Sequence, residues 1–288
     1  MTDPVAGYRL MGIVNVTPDS FSDGGQFLAP EAAIEQGRLL AQEGAAILDI
    51  GGESTRPGAE PVGVEEELRR VLPVIEGLAA TDWVEDCPPQ ISIDTSKASV
   101  AHAALAAGAS LVNDVSALRT DPEMAAVVAD AEADCCLMHM LGEPRTMQQD
   151  PRYEDVVDDV KSFLLERMEF AVREGVGEQR LLLDPGIGFG KTVDHNLQLL
   201  QRLHELVALG RPIVIGSSRK SFLGRIASSA PDSGHLAGTI ATNVLALERG
   251  ASVFRVHDVA PLCEALALAA ATLAGRWTES SKATTART

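Results

Sequence analysis

A single closed (β/α)8 barrel is the α/β fold that this sequence predicts, and three observations carry it. Short apolar segments recur eight times along the 288 residues, each followed by a stretch with helical spacing. The repeat averages about 36 residues, the size of one βα unit. The strands are apolar along most of their length, as in a parallel sheet covered on both faces. An open doubly wound sheet would instead carry a glycine-rich fingerprint after its first strand, and none is present. The barrel is expected over residues 1–276, with a polar, threonine-rich tail over 277–288 expected to be disordered.

The first unit sets the pattern. Met11 to Val14 reads as a buried strand, and Asn15, Thr17, Asp19, Ser20, Ser22 and Asp23 follow at once, broken by Pro18 and Gly24-Gly25. Pro30 opens a helix running to about Glu43, where Gly44 stops it. Ala45 to Ile50 is the second strand. The helix from Val64 has Leu68, Val71, Leu72, Ile75 and Leu78 as its buried stripe, Pro73 as a kink, and Glu65-Glu66-Glu67 as a solvated start. Ile91 to Ser96 and Leu111 to Ser116 are the third and fourth strands with their ends, separated by an alanine-rich helix to Ala107. A helix from about Pro122 to Asp130 leads to the fifth strand, Cys135 to Met140. After a polar excursion, a long helix uses Val156, Val160, Phe163, Leu164 and Phe170. Leu181 to Gly186 is the sixth strand and its end. Asp194 is placed to cap the next helix, which buries Leu197, Leu200, Leu203 and Val207. Pro212 to Gly216 is the seventh strand and Ser252 to Val256 the eighth, with helices over about His235 to Glu248 and Pro261 to Ala274.

Composition narrows the function. Hydrophobic residues make up 45% of the chain, enough for a sizeable core, and no apolar run reaches membrane-spanning length. No basic, apolar leader is visible, so a soluble, cytoplasmic protein is expected. A net charge of −17 argues against nucleic acid as a partner. It does not exclude an anionic substrate, because a few arginines and lysines reverse the sign inside a pocket. Cys87, Cys135, Cys136 and Cys263 lack zinc-site spacing, and Cys135 and Cys136 sit in an apolar run as small hydrophobes.

In such a barrel the active site forms at the C-terminal ends of the strands. Those ends collect Asn15, Asp49, Thr55, Arg56, Asp94, Asn113, Asp184, Lys220, Arg255 and His257. Asp94, Asn113 and Asp184 are acceptors suited to a flat heterocycle with a guanidine-like edge, whose parallel N–H donors a carboxylate accepts as a fork. As single residues, Asp94 and Asp184 also fit turn or cap roles. Arg56, Arg255, His257 and Asn15 suit an anion with a metal ion. Strand alternation puts Arg255 and His257 on one face, whereas a lone Arg219 fits a surface ion pair.

Two tempting motifs are set aside. Gly186 to Thr192 looks like a phosphate loop, but the glycine that a Walker motif needs five places before Gly190-Lys191 is Pro185. A tight loop presenting Phe189 for stacking fits better. Met138-His139-Met140 resembles a soft metal site but lies in a buried strand, where structural histidine and packing methionine are expected. His102, His195, His204 and His235 lie in helical patterns and look ordinary.

Seven ordered motifs now form a pattern: Asn15 to Gly25, Asp49 to Gly58, Ile93-Asp94-Thr95, Val112 to Ser116, Leu183 to Gly186, Ser218-Arg219-Lys220 and Arg255-Val256-His257. In these the chain resembles the dihydropteroate synthase family, the sulfonamide-targeted transferases of folate biosynthesis. The resemblance spans about Met11 to Ala274. It implies a (β/α)8 (TIM) barrel, Mg2+, a homodimer, and condensation of 6-hydroxymethyl-7,8-dihydropterin diphosphate with 4-aminobenzoate. It further implies that Asp94, Asn113, Asp184 and Lys220 hold the pterin, with Met138 and Gly216 lining its slot. Asn15 is implied as the metal residue, and Thr55, Arg56, Arg255 and His257 as contacts of the diphosphate. Phe189, Lys220, Ser218 and Pro57 would border the aminobenzoate, under a closing loop of Phe21 to Asp23. A neutral arylamine needs no strong base, so a dissociative substitution is expected, with Asp94 and Asp184 stabilising the cation. A corrinoid-linked methyltransferase on the same barrel would need no Arg56 loop. A non-catalytic pterin binder would be expected to lack Asn15, Arg255 or His257.

Overall fold

The computed structural model describes residues 7–17, 29–54, 60–83, 88–142, 146–228 and 235–276. The expected tail lies outside the described residues, as do Phe21, Asp23, Thr55, Arg56 and Pro57. The strands are β1 (Arg9–Asn15), β2 (Ile47–Gly51), β3 (Gln90–Asp94), β4 (Leu111–Asp114), β5 (Asp134–Met138), β6 (Leu181–Asp184), β7 (Val214–Ile215) and β8 (Val253–Val256). All pair in parallel, in the order β6-β5-β4-β3-β2-β1-β8-β7. The two ends meet where Leu183 bridges Ile213 and its N–H donates to the Pro212 carbonyl at 3.0 Å. The sheet is therefore a nearly closed (β/α)8 barrel, as expected. β7 is shorter than the sequence suggests: Ile213 makes only an isolated bridge, and Pro212 before it has no N–H to give a ladder.

The helices follow the strands: α1 (Ala29–Gln42), α2 (Val64–Ala79), α3 (Ala98–Ala106), α4 (Met124–Asp130), α5 (Val156–Arg173), α6 (Val193–Gln201), α7 (Leu203–Val207), α8 (Ser221–Ala227), α9 (Leu236–Glu248) and α10 (Val259–Ala274). α2 runs through Pro73 and buries Val71, Val74, Ile75 and Leu78. Two mid-helix glycines let α1 approach it: a Cβ on Gly37 would lie 2.8 Å from Leu78, and one on Gly77 2.4 Å from Ile34. None of the described helices is long and apolar enough to cross a membrane.

Three local expectations are corrected. Thr192, not Asp194, caps α6, in a reciprocal box with His195 that satisfies two backbone donors. On this helix Leu199 is buried and Leu197 exposed, so the buried stripe runs through Leu199 and not Leu197. Glu67 is not solvated but fully buried, because its carboxylate turns inward to pair with Lys97.

Alternate strand residues face the barrel axis, and this sorts the interior into layers. At the N-terminal face Arg9 donates to Gln90 (3.2 Å) and Gln90 to Asp134 (2.8 Å). Above them Met11, Ile47, Leu111, Cys136, Leu182, Val214 and Val253 form a dry layer. One step up, Asp49, Ser92, Asn113 and Arg255 meet in a polar layer. The next inward positions are Asn15, Asp94, Met138, Asp184, Gly216 and His257, at the C-terminal mouth.

Candidate active site at the barrel mouth

Asp49 is the deepest polar anchor and is fully buried. Its carboxylate accepts from Ser92 Oγ at 2.6 Å, Asn113 Nδ2 at 3.1 Å and Arg255 Nε at 2.6 Å. A carboxylate only accepts in that state, so the amide nitrogen of Asn113 must face it, which leaves Oδ1 for a ligand's donor. Arg255 also donates from Nη2 to Asp94 Oδ2 at 2.7 Å. The guanidinium thus joins the two groups that sequence reasoning had kept apart. Burial works against its charge, but the carboxylates of Asp49 and Asp94 outweigh this and hold its pKa above the usual guanidinium range.

Asp94 is strained electrostatically. Burial pushes its carboxyl up to about 7; Arg255 opposes the shift, while the charges of Asp49, Glu67 and Asp114 add to it. A donor-rich ligand edge restores what burial removed. Asp184 is raised by burial as well, against the pull of the Gly186 N–H, Lys220, Arg255 and Lys191. Its Oδ1 accepts from Gly186 N at 2.6 Å, so it does form a turn, and Oδ2 faces the slot side of Gly216, whose Cβ would lie 3.9 Å away. Asp114, by contrast, spends both oxygens on its own turn: it accepts from Ser116 N (2.8 Å) and Leu118 N (2.7 Å).

One wall is apolar. Met138 clusters with Met140 and Met147, and Val115 and Phe189 pack against them. The loop after β6 presents Phe189 as expected, with Gly186, Gly188 and Gly190 all at positive φ. A Cβ on Gly186 would come within 1.9 Å of the His139 carbonyl, so only glycine fits there. Lys220 Nζ lies 3.9 Å from the Phe189 ring centre, a cation–π contact. Ser218 Oγ meets His257 Nδ1 at 3.0 Å and accepts from His257 N at 3.3 Å. Arg219 turns away, at φ 57°, to a surface pair with Asp258 at 2.6 Å. Asn15 ends β1 at the same rim, half-buried and in register with Gly51.

Behind the β2–α2 loop Lys97 pairs with both Glu53 and Glu67, Glu53 accepts from Val62 N at 3.2 Å, and Arg70 donates to the Gly52 carbonyl at 2.8 Å. Asp49 is among the strand-end candidates, but its partner Ser92, this clamp and Lys191 escaped sequence reasoning. Strand alternation alone could have marked Ser92; nothing local marked the others.

A family model described as pterin binding enzyme matches residues 11–257. The dihydropteroate synthase of Synechocystis sp. is 45% identical over 255 residues, covering 88% of this chain and 86% of that protein. The solved dihydropteroate synthase of Xanthomonas albilineans with 4-aminobenzoic acid superposes with a TM-score of 0.86 at 49% identity, covering 94% of each chain. The structure from the same organism with 7,8-dihydropteroate gives 0.83 at 46% identity, over 94% of this chain and 95% of that one.

Proposed function

The chain belongs to the pterin-binding enzymes, and on that premise we propose that it condenses 6-hydroxymethyl-7,8-dihydropterin diphosphate with 4-aminobenzoate, releasing 7,8-dihydropteroate and diphosphate. It is a transferase of folate biosynthesis. One observation carries the proposal most directly: Asp94, Asn113 and Asp184 stand as acceptors at the ends of three strands around one mouth, beside the cations Lys220 and Arg255. A guanidine-like pterin edge presents parallel N–H donors that a carboxylate accepts as a fork. Met138 and Gly216 border the flat ring. The aminobenzoate lies against Phe189, Lys220 and Ser218; Pro57 and the Phe21–Asp23 segment are assigned to it on the family resemblance. The diphosphate is met by Arg255, His257, Thr55 and Arg56.

The reaction is read as dissociative. The C–O bond to diphosphate breaks first, and the cation left on the exocyclic carbon is conjugated with the pterin. The buried carboxylate of Asp184 and the half-buried one of Asp94 favour that cation, while the guanidinium and imidazole favour charge growing on the leaving group. The arylamine then attacks as a neutral nucleophile, and no strong base is required.

Mg2+ fits this arrangement as a companion of the diphosphate. Among the described residues no group of three or more His, Cys, Asp or Glu could hold a metal ion. The Asn15 amide oxygen is a hard ligand at the rim, and Mg2+ commonly takes few protein ligands, filling its shell with water and substrate phosphates. Bound there, it would neutralise charge on the leaving group.

A homodimer is the second part of the proposal. α9 and α10 carry only Glu248 and Glu264 as charged residues, and Leu245, Leu268 and Leu273 are exposed at 45%, 70% and 44%. Such adjoining apolar faces suit an isologous partner. Sedimentation equilibrium is expected to give a dimer for the wild type and a monomer for Leu268→Asp; a wild-type monomer sinks this part. A cytoplasmic location completes the reading.

The deciding assay is diphosphate release with and without 4-aminobenzoate and Mg2+. Release that needs the metal, with dihydropteroate in equal amount when the amine is present, is expected. Slow release without the amine supports cation formation first. Tight pterin binding with no release would leave a binder or a methyltransferase.

A further inference from the structure

Two motifs set aside in the sequence, Met138-His139-Met140 and the Gly186–Thr192 run, meet at Lys191. This lysine is only 4% exposed. Its Nζ lies 2.9 Å from His139 Nδ1, 3.0 Å from the Phe189 carbonyl and 3.4 Å from the His139 carbonyl. Three acceptors therefore match the three N–H groups of an ammonium. The rest of the loop is tied as well: Gly188 N donates to Asn196 Oδ1 (2.7 Å), Gln148 donates to the Gly188 carbonyl (2.6 Å), and Tyr153 donates to the Gly190 carbonyl (2.7 Å).

We infer that Lys191 is a positioning residue for the amine acceptor: by holding the Phe189 carbonyl to the end of β5, it fixes the ring against which 4-aminobenzoate lies. The inference rests on the proposed role of Phe189. A methionine would fill the same volume without the cost of burying an ammonium, so packing alone does not account for a lysine here. Nor does the lysine touch the pterin acceptors through a hydrogen bond; its polar contacts are to β5 and the loop.

The charge state of Lys191 matters to this grip. Asp184 on β6 favours the ammonium, while burial and Lys220 after β7 oppose it, bringing its pKa down to about 7. His139, just after β5, stays neutral, pushed down to about 2 by burial and the charges of Lys191 and Arg119, and its Nδ1 accepts from the ammonium, which has only donors. His195 on α6 is lowered by burial and by Lys191. A neutral amine loses the charge that strengthens its bonds to the Phe189 and His139 carbonyls and holds the loop less well.

Steady-state dihydropteroate formation by the wild type, Lys191→Met and Lys191→Arg tests this. Lys191→Met is expected to raise KM for 4-aminobenzoate about tenfold, with kcat and KM for the dihydropterin diphosphate within about twofold. Lys191→Arg is expected to restore most of the loss. In the wild type, KM for 4-aminobenzoate rises above about pH 7 and stays flat in Lys191→Arg, whose guanidinium does not deprotonate. If Lys191→Met fails to fold, that pH comparison decides alone. Equal changes in both KM values, or none, overturn the inference while leaving the reaction intact. A wild type that makes no dihydropteroate overturns both.

Discussion

Asp184→Asn is expected to lower kcat/KM for the dihydropterin diphosphate by ~10²–10³-fold, the size of effect seen when one preorganised charged or polar group is taken from a reacting site. The protein is expected to stay folded. An asparagine Oδ1 can still accept from Gly186 N, the 2.6 Å bond that shapes the loop after β6. What disappears is the second oxygen and the charge, and an amide N–H there would confront the ligand's own donors. Stability is expected to move the other way. Burial raises the Asp184 pKa in the folded state. A carboxyl raised in this way contributes stability that is complete below its unfolded pKa and is lost as pH rises through the folded one. Asp184→Asn removes that loss, so its melting temperature should equal or exceed the wild type's at pH 8, with the advantage fading towards pH 4. Diphosphate-release kinetics beside thermal melts at the two pH values check both halves. A variant that keeps full kcat would remove the carboxylate from the dissociative mechanism.

The barrel was legible because its signal repeats. Eight apolar strands at βα spacing leave little freedom, and strand-end residues such as Asp94, Asn113 and Asp184 declare themselves by breaking an apolar run. Residues inside a strand declare less. Asp49 stands with the strand ends as one more polar group, but not as the anchor that ties Ser92, Asn113 and Arg255 from three different strands. Asn113 and Arg255 lie 64 and 206 positions away, and only closure of the sheet brings them together. Glu67 misled for a related reason. An acidic run at a helix start normally faces solvent and the helix dipole, but here Glu67 in the first turn of α2 packs against Gly52 just after β2, where Lys97 from the segment after β3 pairs with it. Thr192 beat Asp194 to the cap through a histidine partner three residues on, a pairing outside the usual Ser/Thr–Glu pattern.

Arg255 is where fold and function meet, and Arg255→Lys is expected to destabilise the protein by on the order of 3 kcal/mol at pH 7.5, as breaking one arm of a buried ion pair does. The wild-type side chain uses two nitrogens on two carboxylates, Nε on Asp49 at 2.6 Å and Nη2 on Asp94 at 2.7 Å. A lysine has one nitrogen and satisfies one of them, so a charge is left facing neutral donors in a low-dielectric interior. Asp94 is already pushed up to about 7 with the guanidinium beside it. Without that arm its folded pKa moves further up, and a raised carboxyl pKa penalises the folded state only above the unfolded value. The deficit should therefore shrink as pH falls from 7.5 to 5. Neutralising one of the two acids should help too: in the Asp49→Asn/Arg255→Lys double variant the single nitrogen is left to pair with Asp94, so part of the loss is expected to be recovered, a coupling that independent sites would not show. Urea denaturation of the three proteins at both pH values measures this directly. A deficit that is the same at pH 5 and 7.5, with additive effects in the double variant, would mean that Arg255 supports the barrel by packing rather than by neutralising its two acids. If the deficit is electrostatic, ligand-free Arg255 is already committed to the pterin side of the mouth, and its contact with diphosphate requires either sharing or release of Asp94 on binding.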